Sequence, residues 1–258
     1  AEKVIGIGRM SIAELLLPYL KEKELLSLEK YEVPAREEVN EELKEVSGQP
    51  IRLKRVSPKP ILEPRPFLTI WRNGQWIQWE GRSVFNAGVV TINNKYYVVY
   101  RALGIDGDSR VGLAVIDKDG KAVIKRLNIP ILEPVDNGYE LPTLPRGSER
   151  EHGGIEDTRL IIEGDTIYVF HTAFGNMPQS ALITISVEDF LGIEKDYEEV
   201  EQGKMSIEEF VGKTQSKWIR HGIIFPNVST KNCYIINYED GDGKKKIVLI
   251  HRMDDKNT

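Results

Sequence analysis

Cysteine is all but missing from this 258-residue chain: Cys233 stands alone, so no internal disulfide can form, which fits a reducing cytoplasm. No apolar run is long enough to span a bilayer, and Ala1-Glu2-Lys3-Val4-Ile5-Gly6 lacks the apolar core of a secretory signal, so no membrane partner is expected. Histidine is scarce, with four residues, and no Cys/His spacing resembles a zinc site, so no metal is expected. An excess of basic charge is missing too. The formal net charge of −5 argues against nucleic acid as the main partner. What remains is an ordinary apolar fraction of 40% in a chain long enough for one large domain or two small ones.

Residues 1–48 read as a helical arm. Ser11-Ile12-Ala13-Glu14 has the form of a capping box before Leu15-Leu16-Leu17, and Pro18 ends or bends that helix. Leu20, Leu25, Leu26 and Leu28 suit a second amphipathic piece. Pro34 opens a third, with Gly48 as its stop. From residue 49 the periodicity changes to short strands separated by turn signals, and the pattern repeats. Pro60-Ile61-Leu62-Glu63-Pro64 returns as Pro130-Ile131-Leu132-Glu133-Pro134. After the first copy come Val84 to Val90, a turn at Asn93-Asn94, and Tyr96 to Ala102. After the second come Gly154 to Ile162, a turn at Gly164-Asp165, and Ile167 to Ala173. A third pass runs from Ile223 through Cys233 to Asn237 and then Ile247 to Arg252. Antiparallel repeats of this size, with no helix between paired strands, point to the blades of a β-propeller; a β-sandwich is the alternative. One stretch interrupts the pattern. Residues 187–217 are charged and helix-prone, with a capping box at Ser206-Ile207-Glu208-Glu209, and read as a helical insertion with a solvated face.

The chemistry concentrates in Gly153-Gly154-Ile155-Glu156-Asp157-Thr158-Arg159. Two adjacent carboxylates sit beside a fixed cation at the start of an apolar strand, after two glycines that permit a sharp bend. Strict alternation puts Asp157 and Arg159 on one face and Glu156 with Thr158 on the other. The alternative is a surface loop with a weak ion pair. Strand-end residues Arg101 and Arg252 are further candidates; His171 occupies the slot of Arg101 one repeat later but reads as a hydrogen-bonded neighbour rather than a catalyst. Trp71, Trp76 and Trp79 either stack on a ligand ring or cover a seam. Glu63, Glu133, Asp106 and Asp108 read as turn residues.

The ordered set Pro-Ile-Leu-Glu-Pro, Val84-Phe85-Asn86-Ala87-Gly88, Tyr100-Arg101-Ala102, Gly154 to Arg159, Thr172-Ala173, Phe225-Pro226 and His251-Arg252 resembles glycoside hydrolase family 130. That family comprises five-bladed β-propellers, most of them inverting mannoside phosphorylases and some of them β-1,2-mannosidases. The resemblance covers roughly residues 58–252. It implies that Asp157 is the general acid, that Arg159, Arg220, His251 and Arg252 bind phosphate, and that Asn86, Arg101 and Glu156 bind sugar. No cofactor is implied beyond inorganic phosphate as co-substrate, and the partner is a mannose-containing oligosaccharide. Thr158 replaces the family's usual proline. Ser180 stands where phosphorylases carry an arginine, which favours an inverting mannosidase as a second reading; a non-catalytic sugar-binding propeller is a third. Three blades are recognisable where the family has five, which would leave apolar faces open; the expectation is either that a second subunit covers them or that the chain is a fragment. A homo-oligomer is expected.

A phosphorylase needs one carboxylic acid, because phosphate is itself the nucleophile, whereas an inverting hydrolase needs two carboxyl groups spaced to admit a water. The balance of cations to spare carboxylates at motif positions favours phosphate.

Overall fold

The computed structural model describes residues 5–9, 59–72, 74–143, 152–226, 229–239, 242–243 and 245–253. The described residues are mostly β, with two helices. Strand β1 spans Ile5–Arg9. A hairpin of β2 (Ile70–Arg72) and β3 (Gln75–Ile77) precedes the first repeat, formed by β4 (Ser83–Ile92), β5 (Lys95–Leu103), β6 (Ser109–Ile116) and β7 (Val123–Arg126). The second repeat comprises β8 (Gly154–Glu163), β9 (Thr166–Phe174), β10 (Pro178–Ser186) and β11 (Ile219–Ile223). Helices α1 (Val187–Glu201) and α2 (Ile207–Ser216) lie between β10 and β11. The third repeat comprises β12 (Thr230–Glu239) and β13 (Lys245–Met253).

Within each repeat, consecutive strands pair antiparallel. Asn93 and Asn94, with φ of 50° and 61°, make the two-residue turn between β4 and β5 that suits a right-twisted hairpin. The first two repeats meet through one parallel pair, Ser109 with Gly154. Otherwise they pack by their faces. Val99 and Leu113 of the first share a core with Ile155, Leu160, Val169 and Ile183 of the second. Phe170 and Leu182 of the second repeat then pack with Cys233 of the third. Each repeat thus covers the next, which is why β6 and β10 are buried along nearly their whole length.

Two glycines set how closely the repeats approach. A Cβ on Gly88 would lie 2.2 Å from Leu160 Cδ1 and 2.8 Å from the carbonyl oxygen of Thr158. Gly154 has φ of 135°, and a Cβ there would lie 2.2 Å from the carbonyl oxygen of Ser109. The Gly153-Gly154 pair therefore makes the bend expected of it and also lets two backbones touch.

The insertion forms the two helices expected of it. Ser186 and Ser206 cap them, each accepting a bond from the N–H three residues on. It is more than a solvated appendage, however. Phe190, Ile193 and Phe210 are fully buried in the main core, and buried Asp196 receives both Lys213 and Lys217. A second correction concerns the arm. Residues 5–9, expected within a helical segment, form strand β1 antiparallel to β13. Ile5 and Ile7 favour extended backbone, and β13 offers an edge to pair with. The rest of the expected arm, 1–4 and 10–48, lies outside the described residues. Among the described residues, no helix is long and apolar enough to cross a membrane.

Replacing Gly154 with alanine should cost at least about 3 kcal/mol, since it adds a backbone clash to an unfavourable φ. At Gly120, with φ of 69° but nothing within 4 Å of a new Cβ, alanine should cost only about 1 kcal/mol. Urea unfolding of both variants measures the difference.

Candidate active site

The site forms where two register breaks face each other. β4 slips against β5 between Phe85 and Gly88, and β8 slips against β9 between Glu156 and Arg159. Each break is a β-bulge, an extra residue in one strand that re-aims the side chains around it. The first of the two residues in each bulge has left-handed backbone, φ 47° at Asn86 and 52° at Asp157. Asn and Asp tolerate this conformation better than most residues. The two side chains meet: Asn86 Nδ2 donates to Asp157 Oδ1 at 2.8 Å.

Arg101, on β5, binds both carboxylates. Its Nη1 lies 3.2 Å from Asp157 Oδ1, and its Nη2 donates to Glu156 Oε1. Ser109, at the start of β6, accepts from Arg101 Nε at 3.0 Å and donates to Glu156 Oε1 at 3.2 Å. The guanidinium stacks 4.6 Å from the centre of the Phe85 ring. Burial pushes the Glu156 carboxyl up, Arg101 pulls it down, and the Asp157 carboxylate adds to the rise; the net shift is upward. Glu156 is therefore a partly buried, tethered acid, while one Asp157 carboxylate oxygen takes part in none of the hydrogen bonds described.

The bulge overturns the strict alternation expected along this stretch. Glu156 and Asp157 both reach Arg101 instead of opposite faces. Thr158 turns inward, its hydroxyl donating to the Val99 carbonyl at 2.9 Å, and Arg159 Nη1 donates to the Thr158 carbonyl at 2.8 Å. Of the expected residues, then, Asn86, Arg101, Glu156 and Asp157 come together, whereas Arg159 binds backbone. Arg220 is held elsewhere. It donates to both Glu140 oxygens and to the Glu133 carbonyl at 2.6 Å. Glu140 is fully buried, with His171 Nε2 at 3.6 Å. Burial pushes the Glu140 carboxyl up, but His171, Arg220 and the Val135 N–H outweigh it, and the net shift is downward. The backbone of His251 and Arg252 lies in β13; their side chains lie outside the described residues.

The register also corrects the slot given to His171. Arg101 pairs with Phe85 before the first bulge, and Thr172 pairs with Glu156 before the second, so Thr172 is the counterpart of Arg101. His171 lies opposite the bulge, as Tyr100 does. Trp79 is buried, its indole N–H donating to the Asn128 carbonyl at 3.0 Å, whereas Trp71 and Trp76 are exposed and stack edge to face. Glu133 serves structure as expected, bridging Arg72 and Arg110. Asp106 and Asp108 tie the turn between β5 and β6 to Arg110 and to the Gly153 N–H. Ser109 and Glu140 gave no signal in the sequence: each acquires its role only when two distant strands meet. Among the described residues, no cluster of three or more His, Cys, Asp or Glu side chains is arranged to hold a metal.

No protein-family model matches the chain. Two curated relatives do, both from Thermoanaerobacter sp. (strain X514). A 1,2-beta-oligomannan phosphorylase is 31% identical over 127 residues, covering 49% of this chain and 37% of that protein. A beta-1,2-mannobiose phosphorylase is 28% identical over 127 residues, covering 48% of this chain and 38% of that protein. The match thus spans well under half the length of either relative. Among solved structures, a glycosyl hydrolase from Bacteroides ovatus superposes with a TM-score of 0.53 at 20% identity, over 78% of this chain and 55% of that one. A structure from the GH130 family of mannoside phosphorylases, described as containing glycoside hydrolases that target beta-1,2 mannosidic linkages in Candida mannan, gives the same figures, TM-score 0.53 and 20% identity over 78% and 55%. These relatives bear out the resemblance to glycoside hydrolase family 130.

Arg220→Met should strand the Glu140 carboxylate in the interior and cost about 3–5 kcal/mol at neutral pH. Because the Glu140 value is depressed in the folded state, its stabilising contribution is complete above the ordinary glutamate range and is lost as pH falls through the folded value. The stability gap between wild type and Arg220→Met should therefore narrow on acidification below about pH 4. Chemical denaturation at several pH values tests this, and an unchanged stability at pH 7 would return Arg220 to a ligand-binding role.

Proposed function

We propose that this protein is an inverting glycoside phosphorylase that cleaves β-mannosides with inorganic phosphate and releases α-mannose 1-phosphate. The observation that carries the reading is the setting of Asp157: one carboxylate placed by a bulge, held by Asn86 and Arg101, and flanked by a second acid already tied to a guanidinium. The curated relatives, both mannoside phosphorylases, support it.

In this reaction the glycosidic C–O bond breaks as a phosphate oxygen bonds to the anomeric carbon from the opposite face. The proton that the leaving oxygen needs comes from Asp157, through a sugar hydroxyl as the family resemblance implies. Asn86 fixes the carboxyl so that one oxygen is aimed at the sugar, and Ser109 keeps Arg101 and Glu156 in place behind it. Orientation of this kind accounts for much of the rate in a displacement whose nucleophile arrives from solution.

The surrounding fold, on this reading, is a five-bladed propeller of which the three repeats form part, in a cytoplasmic and oligomeric enzyme. The face-to-face packing of the repeats supports the propeller. A second reading, inverting hydrolysis, is favoured by the loss of Arg220 to Glu140 and by Ser180 in place of a cation. It requires a second carboxylate about 6.5–9.5 Å from Asp157 with room for a water.

Incubating a β-1,2-linked manno-oligosaccharide with the protein, with and without phosphate, separates the two readings. Phosphate-dependent release of mannose 1-phosphate is expected; phosphate-independent release of mannose would establish hydrolysis. Asp157→Asn keeps the shape and removes the proton, and it should lower kcat by about 10²–10⁴-fold. Turnover near the wild-type rate would exclude Asp157 as the acid.

A further inference from the structure

Two glutamates are fully buried, Glu80 beside the first repeat and Glu140 beside the second. The strand registers place them at equivalent positions. Tyr100 on β5 stands opposite the Asn86 bulge, and His171 on β9 stands opposite the Asp157 bulge. On the outer strands, Arg126 pairs with Ala114, which pairs with Val98, three residues before Arg101. Arg220 pairs with Ile183, which pairs with Val169, three residues before Thr172. Arg101 and Thr172 are counterparts, so Arg126 and Arg220 are counterparts too. Both sets converge on the buried glutamate. In the first repeat the Tyr100 hydroxyl donates to Glu80 Oε2 at 2.8 Å, and Arg126 Nη2 donates to the same oxygen at 3.0 Å. In the second, Arg220 donates to both Glu140 oxygens, and His171 Nε2 lies 3.6 Å from Glu140 Oε1. The correspondence is hidden in the sequence, because Glu80 lies sixteen residues after the first Pro-Ile-Leu-Glu-Pro copy and Glu140 only six after the second.

We propose that His171 is a positioning residue for Asp157: with Glu140 and Arg220 it forms a buried keystone behind the bulge that carries the acid, the second copy of the one that Tyr100, Glu80 and Arg126 form behind Asn86.

Three observations carry this inference, which rests on the reading of Asp157 as the acid. First, Glu140 also grips the strand of the acid by its main chain. Its carbonyl accepts the Gly154 N–H at 2.6 Å, three residues before Asp157. The bulge is therefore held at its entry by Glu140 and from across the strand pair by His171, and both holds meet in one carboxylate. Second, the His171 ring is fully buried, and neither of its nitrogens has a hydrogen-bond partner among the described residues. A buried imidazole is costly without a partner, and the Glu140 carboxylate is the group it faces. Third, the position across the strand is matched to the ring. A Cβ on Gly112, opposite Tyr100, would lie 2.2 Å from Tyr100 Cζ, so tyrosine requires glycine there. Opposite the smaller His171 stands Ala181. Tyrosine with glycine and histidine with alanine are two close-packed fillings of one slot.

The test compares three variants of the whole chain by turnover of a β-1,2-linked manno-oligosaccharide and by amide hydrogen exchange of residues 152–158. His171→Leu keeps the slot filled and removes the polar contact. It should lower kcat about 10- to 100-fold while the KM for the mannoside stays within about threefold, since a displaced acid costs rate rather than binding. Its Gly154 amide should exchange at least about 10-fold faster than in wild type. His171→Tyr alone should fare no better, because the Ala181 methyl occupies the space that Gly112 leaves open. The pair His171→Tyr with Ala181→Gly installs the first repeat's filling and should bring kcat back to within about fivefold of wild type, with slow exchange at Gly154. Wild-type kcat and exchange in His171→Leu would overturn the proposal, as would a folded double variant no more active than His171→Tyr. If the double variant does not fold, the kcat and exchange of His171→Leu decide. If the wild type turns over no mannoside, the reading of Asp157 as the acid fails, and exchange at Gly154 alone then decides whether the keystone holds the bulge.

Discussion

The contact on which the site depends is the guanidinium of Arg101 reaching from one repeat into the next. It is a partly buried charge and would be expensive without partners, and both of its carboxylate partners belong to the next repeat. The pairing therefore couples chemistry to packing: if the two repeats separate, Arg101 loses Glu156 and Asp157 together. Glycine at 88 and at 154 makes the approach short enough for the contact to exist. Phe85 and Ser109 hold the guanidinium from its face and its edge, so its orientation is over-determined.

Much of this was legible in the residues, and what was not has a physical cause. The repeat, the Asn93-Asn94 and Gly164-Asp165 turns, the bend at Gly153-Gly154 and the two capped helices all follow from local rules, and local rules survive folding. Asn86, Arg101, Glu156 and Asp157 were singled out and do come together. The direction of their side chains was not legible, because a bulge is a fact about two strands, and one strand's sequence carries no period for it. One inserted residue moved Glu156 to the side of Asp157, sent Arg159 to a carbonyl, and made Thr172 rather than His171 the counterpart of Arg101. Arg220 failed to join the group for a related reason. Its partner Glu140 lies eighty positions away in a segment with no pattern to read. The helical insertion shows the same limit from the apolar side. Its charges suggested a solvated face, while the burial of Phe190, Ile193 and Phe210 depends on the sheet face that they cover.

The pairing of β1 with β13 bears on the order of assembly. Every other strand pair in the three repeats joins neighbours in sequence or nearly so, and such hairpins close within microseconds. Ile5 pairs with Arg252, at opposite ends of the described chain. On a ribosome, β1 emerges before β13 and can pair with it only after all three repeats have been made. Until then the free edge of β13 and the waiting strand are each open to a strand from another molecule. Among the described strand pairs, the one with the longest sequence separation is thus also one that a strand of another copy could fill during synthesis.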